Sequence, residues 1–255
     1  MIEVLQYDFI QNALIAGVLI SIAAGIIGSL VVVNKITFLT GGIAHSSYGG
    51  IGLAIYLGIP VLFGATVFAV ITAVLIAIIT LKNRNRIDAI IGMMWASGMA
   101  IGIIFVDLTP GYNVDLMSYL FGSIIAVSSE DLIYMFILDI FIISIIIFFY
   151  KQILAVSYDI EFASLRGINV KFFYTLILIL AALCVVAAIK AVGLILVIAL
   201  LTIPTYLAEN FASRLSTMMI ISSFLATIFT ILGLVVSYVY DISSGASIIL
   251  VAVVV

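Results

Sequence analysis

His45 is the only histidine in the chain and stands in a run of small residues, GGIAHSSYGG (41–50). Imidazole is a common ligand for zinc-like and other first-row metals, and small neighbours let a second helix or an ion come close. A hydrogen bond from the ring to a nearby carbonyl or hydroxyl is the plainer use. Three carboxylates sit within or beside long apolar runs: Asp88 directly after KNRNRI, Asp139 in FILDIFI, and Glu209 after Pro204 in LLTIPTYLAENFAS. A charge at the centre of a membrane helix costs about 2.5–3.5 kcal/mol or more, so each implies a use. Asp88 has a structural alternative as a helix cap beside the positive end of the dipole. For Asp139 the alternative is a protonated acid bonded to a neighbour. Pro204 frees a carbonyl one turn back and opens room for a polar pocket around Glu209. One imidazole and up to three carboxylates would suit a divalent first-row cation, although ligands drawn from separate helices leave no spacing to read.

Catalytic signatures are absent from the sequence. There is no G-x-x-x-x-G-K-[ST] phosphate loop, so the chain cannot hydrolyse ATP unaided. Trp95-Ala96-Ser97-Gly98 has the look of an intramembrane serine nucleophile, with His45 as its only possible base and no supporting polar group. We expect no catalytic residue and no permanently bound cofactor. Cys184 lies in an apolar run and reads as a small buried hydrophobe.

The elements that must position these groups follow from composition. Hydrophobic residues make up 66% of the 255 and charged residues 8%, with a mean hydropathy of +1.49. A soluble domain carries roughly 25% charged residues. Lipid must therefore be the solvent, and runs that are apolar on every side mean helices rather than barrel strands. The fold class is all-α: a polytopic helical membrane protein of about 8–9 spans. Apolar runs place the spans near 12–33, 41–57, 60–80, 88–106, 130–150, 169–189, 192–213, 215–236 and 243–255. No polar linker divides the chain, so residues 1–255 read as one membrane domain.

Counting spans alternately puts Lys35, Lys82, Arg84, Arg86, Lys151, Arg166, Lys171 and Arg214 on one side and only Lys190 on the other. By the positive-inside rule the first side is cytoplasmic, with the N-terminus outside and the C-terminus inside. His45 and Asp88 then fall toward the cytoplasmic half. Glu3, Asp8, Asp107, Asp115, Glu130, Asp131 and Asp241 collect outside, where an acidic mouth would concentrate cations. The outer stretch 116–127 is too short to span and reads as a re-entrant or interfacial helix. On the inner side, Phe162, Leu165 and Ile168 recur at threes after Ser157 or Asp159, with Gly167 as a stop: a short capped helix where a partner would dock.

Five stretches, taken in order, carry a resemblance. They are 25–54 (GIIGSLVVVNKITFLTGGIAHSSYGGIGLA), 87–105 (IDAIIGMMWASGMAIGIIF), 157–170 (SYDIEFASLRGINV), 192–212 (VGLILVIALLTIPTYLAENFA) and 237–250 (SYVYDISSGASIIL). Together they resemble the permeases of metal-type ABC transporters, the zinc, manganese and iron group. Ala44 and Ser46 stand where that family has serine and alanine. The resemblance implies an importer of divalent metal ions working by alternating access, with the ion as cargo. It implies a separate cytoplasmic ATP-binding subunit, an extracellular or periplasmic metal-binding protein, a second permease copy and a cell-membrane location; nucleic acid has no part. It makes His45 and Asp88 the leading metal ligands; Asp139, Glu209 and Asp241 are further candidates along the pathway, although Tyr206 and Glu209 depart from the small residues that family has after the proline. The segment at about 157–168, with Asp159, Glu161, Ala163, Arg166 and Gly167, becomes the ATPase-coupling element. Two alternatives remain open: a permease for iron-chelate or cobalamin cargo, which needs no inner metal ligands, and an ATP-independent secondary transporter, which would show paired broken helices.

Overall fold

The computed structural model describes residues 7–82, 87–110, 122 and 124–254. Each expected span is a helix: α1 (Asp8–Val33), α2 (Thr37–Leu57), α3 (Val61–Lys82), α4 (Ile87–Asp107), α5 (Ser129–Tyr158), α7 (Val170–Val192), α8 (Leu194–Glu209), α9 (Leu215–Tyr240) and α10 (Ser244–Val254). Between α5 and α7 lies a single six-residue helix, α6 (Ile160–Leu165). Among the described residues, α1, α3, α4, α5, α7 and α9 are long and apolar enough to cross a bilayer. The 21 residues of α2 include the Gly, Ser, Thr and His content that lowers its hydropathy, while α8 and α10 are shorter apolar helices. Most of the expected re-entrant stretch 116–127, with Asp115, lies outside the described residues; its end, Ile124–Ala126, is a turn of 3-10 helix.

The chain groups into two compact units and passes between them four times. The first comprises Met1–Lys35, Leu116–Phe148 and Ala187–Val255; the second, Ile36–Asp115 and Phe149–Val186. This interleaving explains why the sequence offers no linker. The backbone of α5 is non-helical at Phe149 (φ −105°, ψ 17°), the residue where the chain enters the second unit.

In the first unit α1 packs on α8 and α9, and α9 on α8 and α10. Lipid gives no hydrophobic push between helices, so close packing and hydrogen bonds must hold them. Both are present. A Cβ at Gly25 would strike the backbone of Ser223 in α9, and one at Gly28 would lie 2.6 Å from Thr205 Oγ1 in α8. The hydroxyls of Ser21 and Thr230 pair at 3.0 Å, and those of Thr205 and Ser222 at 2.8 Å. Pro204 is buried inside α8, where Thr205 Oγ1 also donates to the Leu201 carbonyl at 2.9 Å.

At one end of this unit the N-terminus of α5 is capped by Ser128. The Ser128 backbone N–H and hydroxyl both donate to Asp131 Oδ2, at 2.8 and 2.6 Å, while the Asp131 N–H reaches back to Ser128 Oγ. This is a capping box with aspartate in the third position. The Lys190 ammonium, from the last turn of α7, donates to the same carboxylate oxygen. Lys190 and Asp131 therefore share one end of the unit.

In the second unit α2 packs on both α3 and α4. Here too glycines set the distance. The backbones of Gly52 and Gly102 meet with no room for a Cβ on the former, and a Cβ at Gly98 would stand 2.7 Å from Ser46 Cβ. Gly98 and Gly102 are four apart on α4, so one face of that helix lies flush against α2. In α7, every residue from Leu180 to Ile189 is buried, as expected of a helix apolar all round. Cys184 is among them.

Candidate functional site

The close approach of α2 and α4 builds the surroundings of His45. The residue is the ninth of α2, about 12 Å along the helix from its first residue. It is 7% exposed, and its Nδ1 is fully enclosed without a hydrogen-bond partner. Hydroxyls lie alongside but are turned away: Ser46 Oγ donates to the Ile43 carbonyl at 2.9 Å and Ser47 Oγ to that of Ala44 at 2.6 Å. A ring contact holds the imidazole. Trp95 of α4 lies flat on it, with centroids 3.7 Å apart and planes 9° from parallel. The indole N–H in turn contacts Met99 Sδ at 3.2 Å, one turn along α4. Ser97 Oγ donates to the Met94 carbonyl, so the imidazole meets the indole and not a serine nucleophile. An enclosed polar nitrogen without a partner costs roughly 1–3 kcal/mol.

A second enclosed group lies in the first unit. Asp139 is 4% exposed, and its Oδ2 has no hydrogen-bond partner. It belongs to the buried stripe of α5 formed by Asp131, Met135, Asp139, Ile142 and Ile146, whose spacing of three and four marks one helix face. The flanking Ile137 and Ile140 are exposed, so this carboxyl points into protein rather than lipid. Of the two buried carboxyls on this face, Asp131 is paired with Lys190; Asp139, two turns further in, retains an open oxygen.

The remaining sequence candidates sit elsewhere. Asp88 falls in the first turn of α4, with its side chain outside the described residues. Glu209 is exposed as the last residue of α8. Asp241 is exposed and ends α9 in a left-handed conformation (φ 52°, ψ 47°). Among the described residues no three His, Cys, Asp or Glu side chains gather around one point. Among the described residues the candidates therefore stand apart from one another.

The expected docking element has the predicted form, starting at Asp159. The Asp159 carboxylate accepts the Phe162 N–H at 2.9 Å and begins α6. At its other end, Ile168 N–H bonds the Ala163 carbonyl and Gly167 N–H that of Ser164, both at 3.0 Å, with Gly167 at φ +74°. This closure needs a left-handed residue, which glycine supplies without strain. Ala163 is fully buried and anchors the helix, whereas Leu165 is 89% exposed. Glu161 is exposed, as are Phe162 and Arg166; the Arg166 guanidinium lies 5.1 Å from the centre of the Phe162 ring. A six-residue helix capped at both ends thus holds a rigid, partly apolar face away from the core.

Sequence reasoning did not find the partnership of His45 with Trp95. Its only trace is that the single tryptophan of the chain lies three residues before Gly98 in a helix of small residues. Nor did it find the Lys190–Asp131 pair, whose partners lie 59 residues apart.

Comparison with known proteins completes the picture. An uncharacterized membrane protein of Synechocystis is 45% identical over 252 residues, covering 99% of this chain and 90% of that protein. The manganese transport system membrane protein MntC of Listeria monocytogenes is 34% identical over 98% of this chain and 89% of its own length. The solved structure of PsaBC from Streptococcus pneumoniae in complex with Fab superposes with a TM-score of 0.89 at 32% identity, over 99% of this chain and 91% of that one. Residues 6–255 match the ABC 3 transport family. With its all-helical membrane fold, its capped α6 and its match over nearly the whole length, the chain belongs to the ABC 3 transport family.

Proposed function

We propose that this chain is the permease subunit of an ATP-driven importer of divalent metal ions, with manganese the preferred cargo. The observation that carries the metal reading is the buried His45 Nδ1, enclosed in the membrane with no partner. Support for manganese comes from the likeness to a manganese system protein and from a candidate donor set rich in carboxylate oxygen, which suits that ion better than a thiolate set would. His45 and Asp88 serve as ligands. Asp139 is a further pathway carboxylate, and the exposed Glu209 and Asp241 supply negative charge.

The energy comes from a separate ATP-binding subunit, because this chain has no phosphate loop. That subunit seats on the exposed Phe162, Leu165 and Arg166 of α6, and Ala163 transmits its movement to the helices behind. A metal-binding protein delivers the ion from outside, and two permease copies form the complex. The N-terminus lies outside the cell membrane and the C-terminus in the cytoplasm. The unit then alternates between outward and inward openings, and the ion exchanges one carboxylate or imidazole ligand for the next.

The test is uptake of radioactive manganese into vesicles holding this chain, its ATPase and the loaded binding protein. ATP-dependent accumulation, lost in His45→Ala and in the docking variant Leu165→Asp, is the expected result. Accumulation that ignores ATP and follows an ion gradient would refute the reading.

A further inference from the structure

We propose that Trp95 is the positioning residue of the His45 ligand, its indole face doing the work that a hydrogen bond does for most metal-binding histidines. The inference rests on the metal reading given above. A metal-bound imidazole ordinarily gives its second ring N–H to a carboxylate or carbonyl, which fixes the ring plane. Here the nearby Ser46 and Ser47 hydroxyls are committed to their own helix, and among the described residues no hydrogen bond reaches either ring nitrogen, neither the enclosed Nδ1 offered to the ion nor the second nitrogen that such a partner would hold. What fixes the plane is Trp95, 3.7 Å away and 9° from parallel.

The indole is itself constrained. Its N–H rests on Met99 Sδ, and Gly98, on the next turn, brings α4 against Ser46 beside the histidine. Both residues lie in the second unit. An aromatic face also favours a cation above it, and an imidazole carrying a divalent ion is such a cation. Stacking holds a ring in plane but leaves it free to turn within that plane. A hydrogen bond would not allow this. Such a ligand is held for capture and released without breaking a polar contact, as an ion in transit requires.

Trp95 is also the only tryptophan in the chain, so its emission reports on this contact. The experiment uses the complete complex in lipid vesicles, with Trp95→Phe as spectroscopic blank and as the conservative variant that retains a flat ring. Manganese is paramagnetic and quenches an indole in contact with its ligand. We expect saturable quenching of the Trp95 signal by manganese, absent with magnesium and absent in His45→Ala. In uptake, Trp95→Leu should raise the half-saturating manganese concentration by about 10-fold, the lower end of what losing a supporting contact costs a metal ligand. Trp95→Phe should stay within about twofold of wild type, and the maximal rates of both should change little.

If Trp95→Leu and Trp95→Phe share the wild-type half-saturation while uptake is intact, the proposal falls and the importer reading stands. Absence of quenching in a wild-type complex that transports manganese has the same consequence, and needs no variant to assemble. Absence of ATP-driven manganese uptake in the wild type overturns both.

Discussion

Replacing Gly98 by alanine tests whether helix spacing sets the site. The new Cβ would lie 2.7 Å from Ser46 Cβ and 2.8 Å from the Ser46 carbonyl oxygen, and closer still to Ser46 Cα. Ordinary contact begins near 3.4 Å and Ser46 Cα is the nearest atom, so α2 and α4 must part by about 1 Å. Backbone stands on both sides, and no flexible side chain can absorb the strain. Overpacking of this kind costs about 1–3 kcal/mol, offset by about 0.5–1 kcal/mol from alanine's better helix propensity. A net loss of up to about 2.5 kcal/mol, centred on about 1 kcal/mol, remains. If the helices separate rigidly, the His45–Trp95 ring distance grows from 3.7 Å by a similar amount, and a gap of 0.5–1 Å forfeits a quarter to a half of each atomic contact. Gly92, on the same helix, is the matched control: a Cβ there meets nothing within 4 Å. The assay is thermal unfolding of the detergent-solubilised chain, followed by the emission of its one tryptophan. Gly98→Ala should melt earlier with altered native emission, whereas Gly92→Ala should melt with or after the wild type. Equal melting and unchanged emission in Gly98→Ala would refute the claim that backbone contact fixes this pair.

Asp159→Ala removes the cap of α6 and should cost about 1 kcal/mol locally. Stimulated ATPase activity of the complex should fall while Asp159→Asn retains most of it, because asparagine also caps. Lys190→Met leaves the buried Asp131 carboxylate without its partly exposed cation, and should destabilise by about 1–3 kcal/mol, between the values for exposed and buried pairs. Unfolding of Lys190→Met, Asp131→Asn and the double variant should show the second change costing less once the first is made. Thr205→Val breaks the hydroxyl contact to Ser222 between α8 and α9, and should lower stability by about 0.6–1.7 kcal/mol in a thermal melt, the range for hydrogen bonds between membrane helices.

The helices were legible in the sequence because a bilayer imposes length and apolarity on every span. Their ends were less so. α5 runs to Tyr158 and not to about 150, because Lys151 and Gln152 lower the hydropathy without ending the helix, and Ile153 and Val156 beyond them are buried. Hydropathy marks where lipid stops, not where hydrogen bonding stops. α6 was readable because caps are local: Asp159 and Gly167 act within a few residues of themselves. At the site, the glycines around His45 announced that another helix would come close, but not which face of it. Trp95 lies 50 residues away, and nothing in the period of either helix pairs the two. The carboxylates show the same limit. Asp139 and Glu209 both sit in apolar runs, yet one is enclosed and the other exposed, since burial depends on neighbours from distant parts of the chain.

The hydroxyl contact between Ser21 and Thr230 joins residues 209 apart, and it has a consequence for the birth of the protein. At about 5–20 residues per second, α1 enters the membrane roughly 10–40 s before the helix it will pack on exists. Throughout that interval its glycine groove and Ser21 face lipid or a neighbour that must later give way. The first unit therefore closes last, around its oldest helix. A ribosome stalled before residue 215 would leave α1 without its main partner, however well the helices of the second unit had already assembled.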